Sequence, residues 1–178
     1  MNEPEAAPQP PANTALYAPP AAGTPADLLP SCPTRDQIDR FEQLIFEHAA
    51  ANGEATIPTQ HVQVSGLYGR SVMIPAGTVC TGAPHKAEHL AVCVGDVSVW
   101  VEDTGVLRLT GVHILPAQVG TKRVVFAHAD TVWFTVHRND TGSTDVRVIE
   151  DTLVEHADRL ATRRQAAITV EEPKKALP

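Results

Sequence analysis

Aromatic side chains are scarce in this 178-residue chain, at 4%, and its three cysteines, Cys32, Cys80 and Cys93, are scattered without a CxxC pair. An odd, dispersed set of thiols supports neither a disulfide framework nor a thiolate zinc site. No run approaches the roughly 20 apolar residues of a membrane span, so no membrane partner is expected. The first residues lack both a basic n-region and an apolar h-region, which argues against a signal peptide. Basic charge is in deficit: 14 Lys and Arg against 21 Asp and Glu leave a formal charge of −7. A phosphate-backbone binder usually carries a net basic face, so a nucleic-acid partner is not expected either. Gly-x-Ser-x-Gly, P-loop and dinucleotide fingerprints are missing, and no cysteine has a basic neighbour to activate it.

Proline is not scarce. Residues 1–33 hold nine prolines and eight alanines, a composition that favours extended chain and cannot bury enough surface to fold alone. This stretch reads as an arm. Its sizeable apolar side chains, Leu16, Tyr17, Leu28 and Leu29, are the expected anchors into neighbouring subunits. A helix follows over 34–53: Thr34-Arg-Asp-Gln37 matches a capping box, Ile38, Phe41, Leu44, Ile45 and His48 fall on one face, and Gly53 closes it.

From 56 to 150 the pattern changes to short β-type runs between glycines and prolines. Strands are expected at His61–Val64, Ser71–Ile74, Thr78–Cys80, His89–Val94, Val97–Val101, Val106–Leu109, His113–Leu115, Arg123–Ala127, Val132–Val136 and Val146–Ile149. Ten closely spaced strands predict an antiparallel β-barrel or sandwich, with Gly95 as one of the turns. Ile74, Leu90, Val92, Val94, Val97, Val99, Val124, Phe126, Val132 and Phe134 are the expected core. A short amphipathic helix over 151–167, spaced by Leu153, Ala157, Leu160 and Ala161, and a polar tail over 168–178 complete the chain.

The most informative chemistry sits just ahead of one strand, in Pro84-His85-Lys-Ala-Glu88-His89-Leu90. Imidazole nitrogen and carboxylate oxygen are ligands that divalent Fe, Mn, Ni and Zn accept, and three of them leave coordination positions for water or substrate. Strand parity divides the set: with Leu90, Val92 and Val94 facing the core, Glu88 points inward and His89 outward. Against a metal stands the plainer reading of histidines hydrogen-bonded at a barrel mouth. His128 and Asp130 share a turn, where a carboxylate could orient an imidazole; Asp130 and Thr131 more often cap such a turn. His61, His113 and His137 read as lone strand histidines. Trp100 and Trp133 alternate with valines and are expected to pack beneath the helices.

The run Pro75-Ala-Gly-Thr78, then His85, Glu88 and Gly95, then Pro116 and Gly120, resembles the two-motif layout of cupins, small double-stranded β-helix barrels. Glu88 and Gly95 keep the family's Glu-to-Gly spacing. The His-x-His pair is missing, and Arg123 stands where the second motif has its histidine. A closer resemblance is to small cupin-like proteins of tailed bacteriophages, carried by Gly66-Leu-Tyr-Gly-Arg70, Gly95-Asp-Val-Ser-Val99, Gly120-Thr-Lys-Arg123 and Ala127-His-Ala-Asp-Thr-Val-Trp133. That resemblance covers roughly residues 56–140. It implies a cupin-like barrel and a phage origin, hence a virion location after synthesis in the host cytoplasm; it implies no activity.

Two functions follow from different classes. One is a non-enzymatic structural or accessory subunit of a phage particle, a homo-oligomer whose arms bind other structural subunits. The other is a metal-dependent cupin enzyme of dioxygenase or isomerase type, using His85, Glu88, His89 and His128 on a divalent transition metal. The incomplete ligand set favours the first.

Overall fold

The computed structural model describes residues 28–161 and 163. Helix α1 (Arg35–Asn52) opens on the expected capping box, with Thr34 accepting from the Gln37 amide and the Gln37 side chain accepting from Thr34 N–H at 2.9 Å. These bonds satisfy two of the amides that a helix start leaves unpaired. Seven antiparallel strands follow: β1 (Thr59–Val64), β2 (Leu67–Ile74), β3 (Val79–Gly82), β4 (His89–Val101), β5 (Gly105–Ala117), β6 (Arg123–Ala127) and β7 (Thr131–Arg138). They run in the order β1-β2-β7-β4-β6-β3, with β5 also on β4. The result is a curled antiparallel sheet, a cupin-like half-barrel, with β4 as its spine: β4 pairs with β5, β6 and β7.

Ten expected strands become seven for two physical reasons. Gly95 does not end a hairpin; it pairs with Gly111 in the middle of two 13-residue strands. Both glycines have positive φ, +152° and +87°, so the two strands bend together. A Cβ at Gly95 would lie 2.2 Å from Thr131 Oγ1, so β7 crosses where only glycine fits. The tenth expected strand, Val146–Ile149, is helix α2 (Val146–Leu153). Asp145 caps it by accepting from Arg147 N–H at 2.8 Å, and Val146, Ile149 and Leu153 then meet the barrel at helical spacing. Of the helix expected over 151–167, residues 151–153 form the end of α2 and Ala157–Arg159 a 3₁₀ turn, while 162 and 164–167 lie outside the described residues.

The bend divides β4 into halves with different surroundings. Beyond it, both faces are covered: Val97 and Val99 pack inside with Leu109 and Val125, while Trp100, Val106, Val124 and Phe126 pack outside under Ile38 and Phe41 of α1. Lys122, itself buried, reaches Glu42 of α1 at 2.9 Å and also pairs with Asp39, which clamps the helix to the sheet. Ahead of the bend the outer face has no cover among the described residues. Leu90 is 50% exposed and Val94 41%, so these two expected core residues lie on the surface, while Val92, Val132 and Phe134 are half-buried. The alternation was right and its polarity reversed, because His89, Ala91 and Cys93 take the inner face.

Leu16 and Tyr17 lie outside the described residues. Leu29, expected to dock on a neighbouring subunit, is buried in this chain's own core against α1 and Trp100. Asp103 N–H donates to Pro33 O at 2.9 Å, which draws residues 29–33 over the β4–β5 turn and delivers Leu29 to that cluster. Leu28 beside it is exposed.

Candidate metal centre and cavity

The concave face of the sheet lines a cavity of about 1180 Å³, closed at one side by α2. Alternation along β2 turns Tyr68, Arg70, Val72 and Ile74 inward, β6 contributes Arg123 and Val125, and β7 contributes Trp133, Thr135 and His137. His85, His89 and His137 converge on this wall, with ligand nitrogens all within 4.8 Å of one another.

Each histidine is placed by a different element. His85 sits in the β3–β4 connection, where its backbone is pinned from two sides: it bridges to Val154 just after α2, and its carbonyl accepts from Gly120 N–H at 2.8 Å. His89 opens β4 opposite Ala117, and its Nδ1 lies 3.2 Å from the Ala87 carbonyl. A proton on that Nδ1 leaves Nε2 with a free lone pair. His137 stands on β7 opposite Tyr68, in the next register position to the Leu90–Val136 pair. Its Nε2 is 3.0 Å from His85 Nδ1, and its own Nδ1 is buried with no hydrogen-bond partner among the described residues. The three rings stack at centroid distances of 4.0 to 4.7 Å.

This environment keeps imidazole neutral. Burial, then the neighbouring His89, His137, Arg123 and Arg70, pushes His85 down to about 2. Burial and His89 push His137 down to about 4, and burial lowers His89. Neutral nitrogen with an available lone pair is the form that binds a metal, and the orphaned His137 Nδ1 is a buried polar atom in want of a partner. The donor set therefore fits a divalent transition metal.

Of the expected ligands, the structure brings His85 and His89 together and adds His137. Glu88 is exposed, just ahead of β4, and is not among the residues that line the cavity. His128 lies in the β6–β7 turn, its Nε2 2.9 Å from Ser98 Oγ, outside the histidine group. Thr131 caps that turn as expected, its Oγ1 donating to Ala129 O at 2.8 Å, whereas Asp130 Oδ1 accepts from Ala76 N–H at 2.8 Å and so ties the turn to the β2–β3 connection instead of capping it. Trp100 packs beneath α1, whereas Trp133 faces the cavity. A sequence signal for His137 exists in the alternation Trp133, Thr135, His137, but its meeting with His85 depends on a sheet register across 52 residues.

The cavity also holds cations. Arg70 Nε faces Glu150 at 3.6 Å, and Arg163 reaches the same carboxylate at 3.1 Å from outside. Arg123 opens β6 opposite Gly82 and is among the residues that line the cavity.

No family model and no curated protein matches the chain. Among solved structures it is similar to ectoine synthase from P. lautus, at 19% identity over 48% of this chain and 65% of that one, with a TM-score of 0.41. It is similar to KdgF from Halomonas sp., at 19% identity over 49% of this chain and 87% of that one, with a TM-score of 0.41. An RmlC-like cupin family protein with a double-stranded β-helix fold from Methanocaldococcus jannaschii is 12% identical over 49% and 84% of the two chains, with a TM-score of 0.40.

Proposed function

We propose that the half-barrel holds a divalent transition metal on His85, His89 and His137 and acts with it on a small molecule bound in the cavity. The observation that carries this is the convergence of three neutral, largely buried imidazoles from separate elements on the wall of one large cavity. A metal bound there would supply Lewis acidity to a substrate oxygen or a bound water. The chain's own residues do the rest: the Ala87 carbonyl orients His89, the Gly120 amide and Val154 hold the His85 backbone, and Val72, Ile74 and Trp133 give the ligand an apolar wall. This is the enzyme alternative of the two functions read from the sequence, with His137 in place of Glu88 and His128.

The test is elemental analysis of the full chain after growth with Mn, Fe, Ni and Zn supplied. Wild-type protein is expected to retain about one equivalent of one metal, and His137→Ala and His85→Ala to retain less than about a tenth. Circular dichroism of the variants should match wild type. Wild-type protein with no retained metal, and no uptake on titration, would end this reading.

A second reading is favoured by a separate observation, the uncovered outer face formed by Leu90, Val94, Met73, Val112 and Ile114. An apolar sheet surface of that kind suits contact with a second copy of the chain, as the structural-subunit reading requires. Five strands at about 4.8 Å and three outward positions per strand give roughly 500 Å² per copy in projection. Two copies reach about 1,000 Å², the lower bound of a stable interface. Attachment to a virion rests on the sequence resemblance to phage proteins.

A further inference from the structure

The cavity lining is charge-balanced, with five Lys and Arg against five Asp and Glu, in a chain whose formal charge is −7. Its two buried carboxylates are already matched: Glu42 accepts from Lys122 at 2.9 Å and from Thr81 at 2.7 Å, and Glu150 lies between Arg163 and Arg70. Arg123 has no side-chain hydrogen bond or ion pair among the described residues; the nearby Glu102 is held by Arg35. Arg70 Nε is buried without a hydrogen-bond partner among the described residues. Both arginines line the same cavity as His85, His89 and His137. A guanidinium presents parallel N–H donors that match the two oxygens of an acid group, and a desolvated one lacking a partner gains most from an incoming anion. The remaining wall is apolar, with Val72, Ile74 and Trp133.

We infer that Arg70 and Arg123 form an anion-recognition site beside the histidine cluster, and that the ligand of the cavity is a small organic acid with an apolar body. The inference rests on the reading of the cavity as a small-molecule site, and it specifies the class of molecule. Arg123 supplies the unpaired charge; Arg70 supplies a second fork whose charge Glu150 partly offsets.

The chain's two tryptophans allow a test that does not involve the metal. Trp133 faces the cavity and Trp100 is sealed under α1, so a Trp100→Phe protein carries its one indole at the site. With this protein stripped by chelator, iodide should quench the fluorescence at least about threefold more efficiently than caesium, despite a chain charge of −7 that favours caesium elsewhere. Benzoate or phenyl phosphate should protect against iodide, and whichever protects at lower concentration identifies the acid group; benzamide, of the same shape without charge, should not. Arg123→Gln should remove most of the iodide preference. Arg70→Lys keeps a charge opposite Glu150 and a folded barrel, and should weaken protection without abolishing the preference.

Equal quenching by iodide and caesium, equal protection by benzamide, or an unchanged preference in Arg123→Gln would each overturn the inference. Metal content is measured separately on the same preparations. Loss of metal binding with the anion preference intact would defeat only the metal reading, and the reverse result only this one.

Discussion

The two faces of the sheet invert the usual relation between polarity and burial. On the concave side, ahead of the Gly95–Gly111 bend, stand three histidines and Arg70, largely shielded from solvent, and Arg123 joins the same cavity from β6 beyond the bend. On the convex side of the same strands stand Leu90, Val94, Val112 and Ile114, open to solvent. Beyond the bend the convex side is ordinary core, because α1 lies on it. One strand, β4, thus passes from a segment whose apolar side chains face out to one buried on both sides. Burying polar groups is unfavourable unless something satisfies them, and leaving a contiguous apolar face bare is equally unusual. Both departures coincide in the half of the sheet that the helix does not cover, the half on which the proposed function rests.

The sharpest way to break this contrast is to attack the covered half of the convex face. Trp100 is 1% exposed and anchors the cluster under α1, so Trp100→Ala should destabilise the chain by about 3–5 kcal/mol, as for large aromatic truncations in cores. Leu90→Ala, ten residues earlier on the same face of the same strand, should cost under about 1 kcal/mol because half of that side chain is already in water. Urea unfolding of the two variants measures both. Comparable losses would mean that the face is covered along its whole length.

That same contrast explains what could be read in the sequence. The capping box of Thr34 and Gln37, the seven strand cores and the Thr131 hydroxyl in its turn are local, and local spacing revealed them. The inward side of β4 was not local information. Period-2 alternation gives two faces, and the rule that the more apolar one is inside picked Leu90, Val92 and Val94, when helix coverage decided the matter. Ala91 and Cys93 carried a weak contrary signal, since small residues and free cysteines are often fully buried. With that polarity reversed, Glu88 left the site and His89 entered it. His137 could not be joined to His85 without the register that sets β7 between β2 and β4. Val146–Ile149 was misread for a similar reason: a four-residue apolar run fits strand and helix alike, and the Asp145 cap settles it locally.

A smaller effect sharpens the concave side of the comparison. In the folded chain burial, joined by neighbouring charges, lowers His85 to about 2 and His137 to about 4; in the unfolded chain both return toward about 6.5. Between those values the unfolded state binds more protons than the folded one, so stability increases with pH. The contribution is complete above about pH 6.5 and is lost as pH falls toward 4. Each such histidine gives a limiting slope of roughly 1.4 kcal/mol per pH unit. Chelator-treated protein unfolded by urea at pH 7, 6 and 5 should therefore lose stability stepwise, and His137→Gln should lose it with a shallower slope. A wild-type midpoint that is flat or rises on acidification over that window would contradict the buried, neutral cluster.

The smallest effect on the folded chain is expected from charge on the bare convex face, and there the oligomeric state supplies the readout. Val112 is 70% exposed and Ile114 64%, so lysine at either position leaves the ammonium in water and removes little packing. Stability should change by no more than about 0.5 kcal/mol, the usual range for surface substitutions. A second copy laid face to face on the first would bring two such lysines toward each other across an apolar contact of marginal area, where desolvation and like-charge repulsion both oppose association. Sedimentation of the wild-type chain should therefore show a dimer that Val112→Lys and Ile114→Lys each convert to monomer, with far-UV circular dichroism and the urea midpoint unchanged. Because histidines and arginines lie on the opposite face, both variants should keep the metal content and the iodide preference of wild type. A wild-type chain that sediments as a monomer at tens of micromolar, or lysine variants that remain dimeric, would remove the subunit reading and leave the cavity as the only part of this sheet with a function to explain.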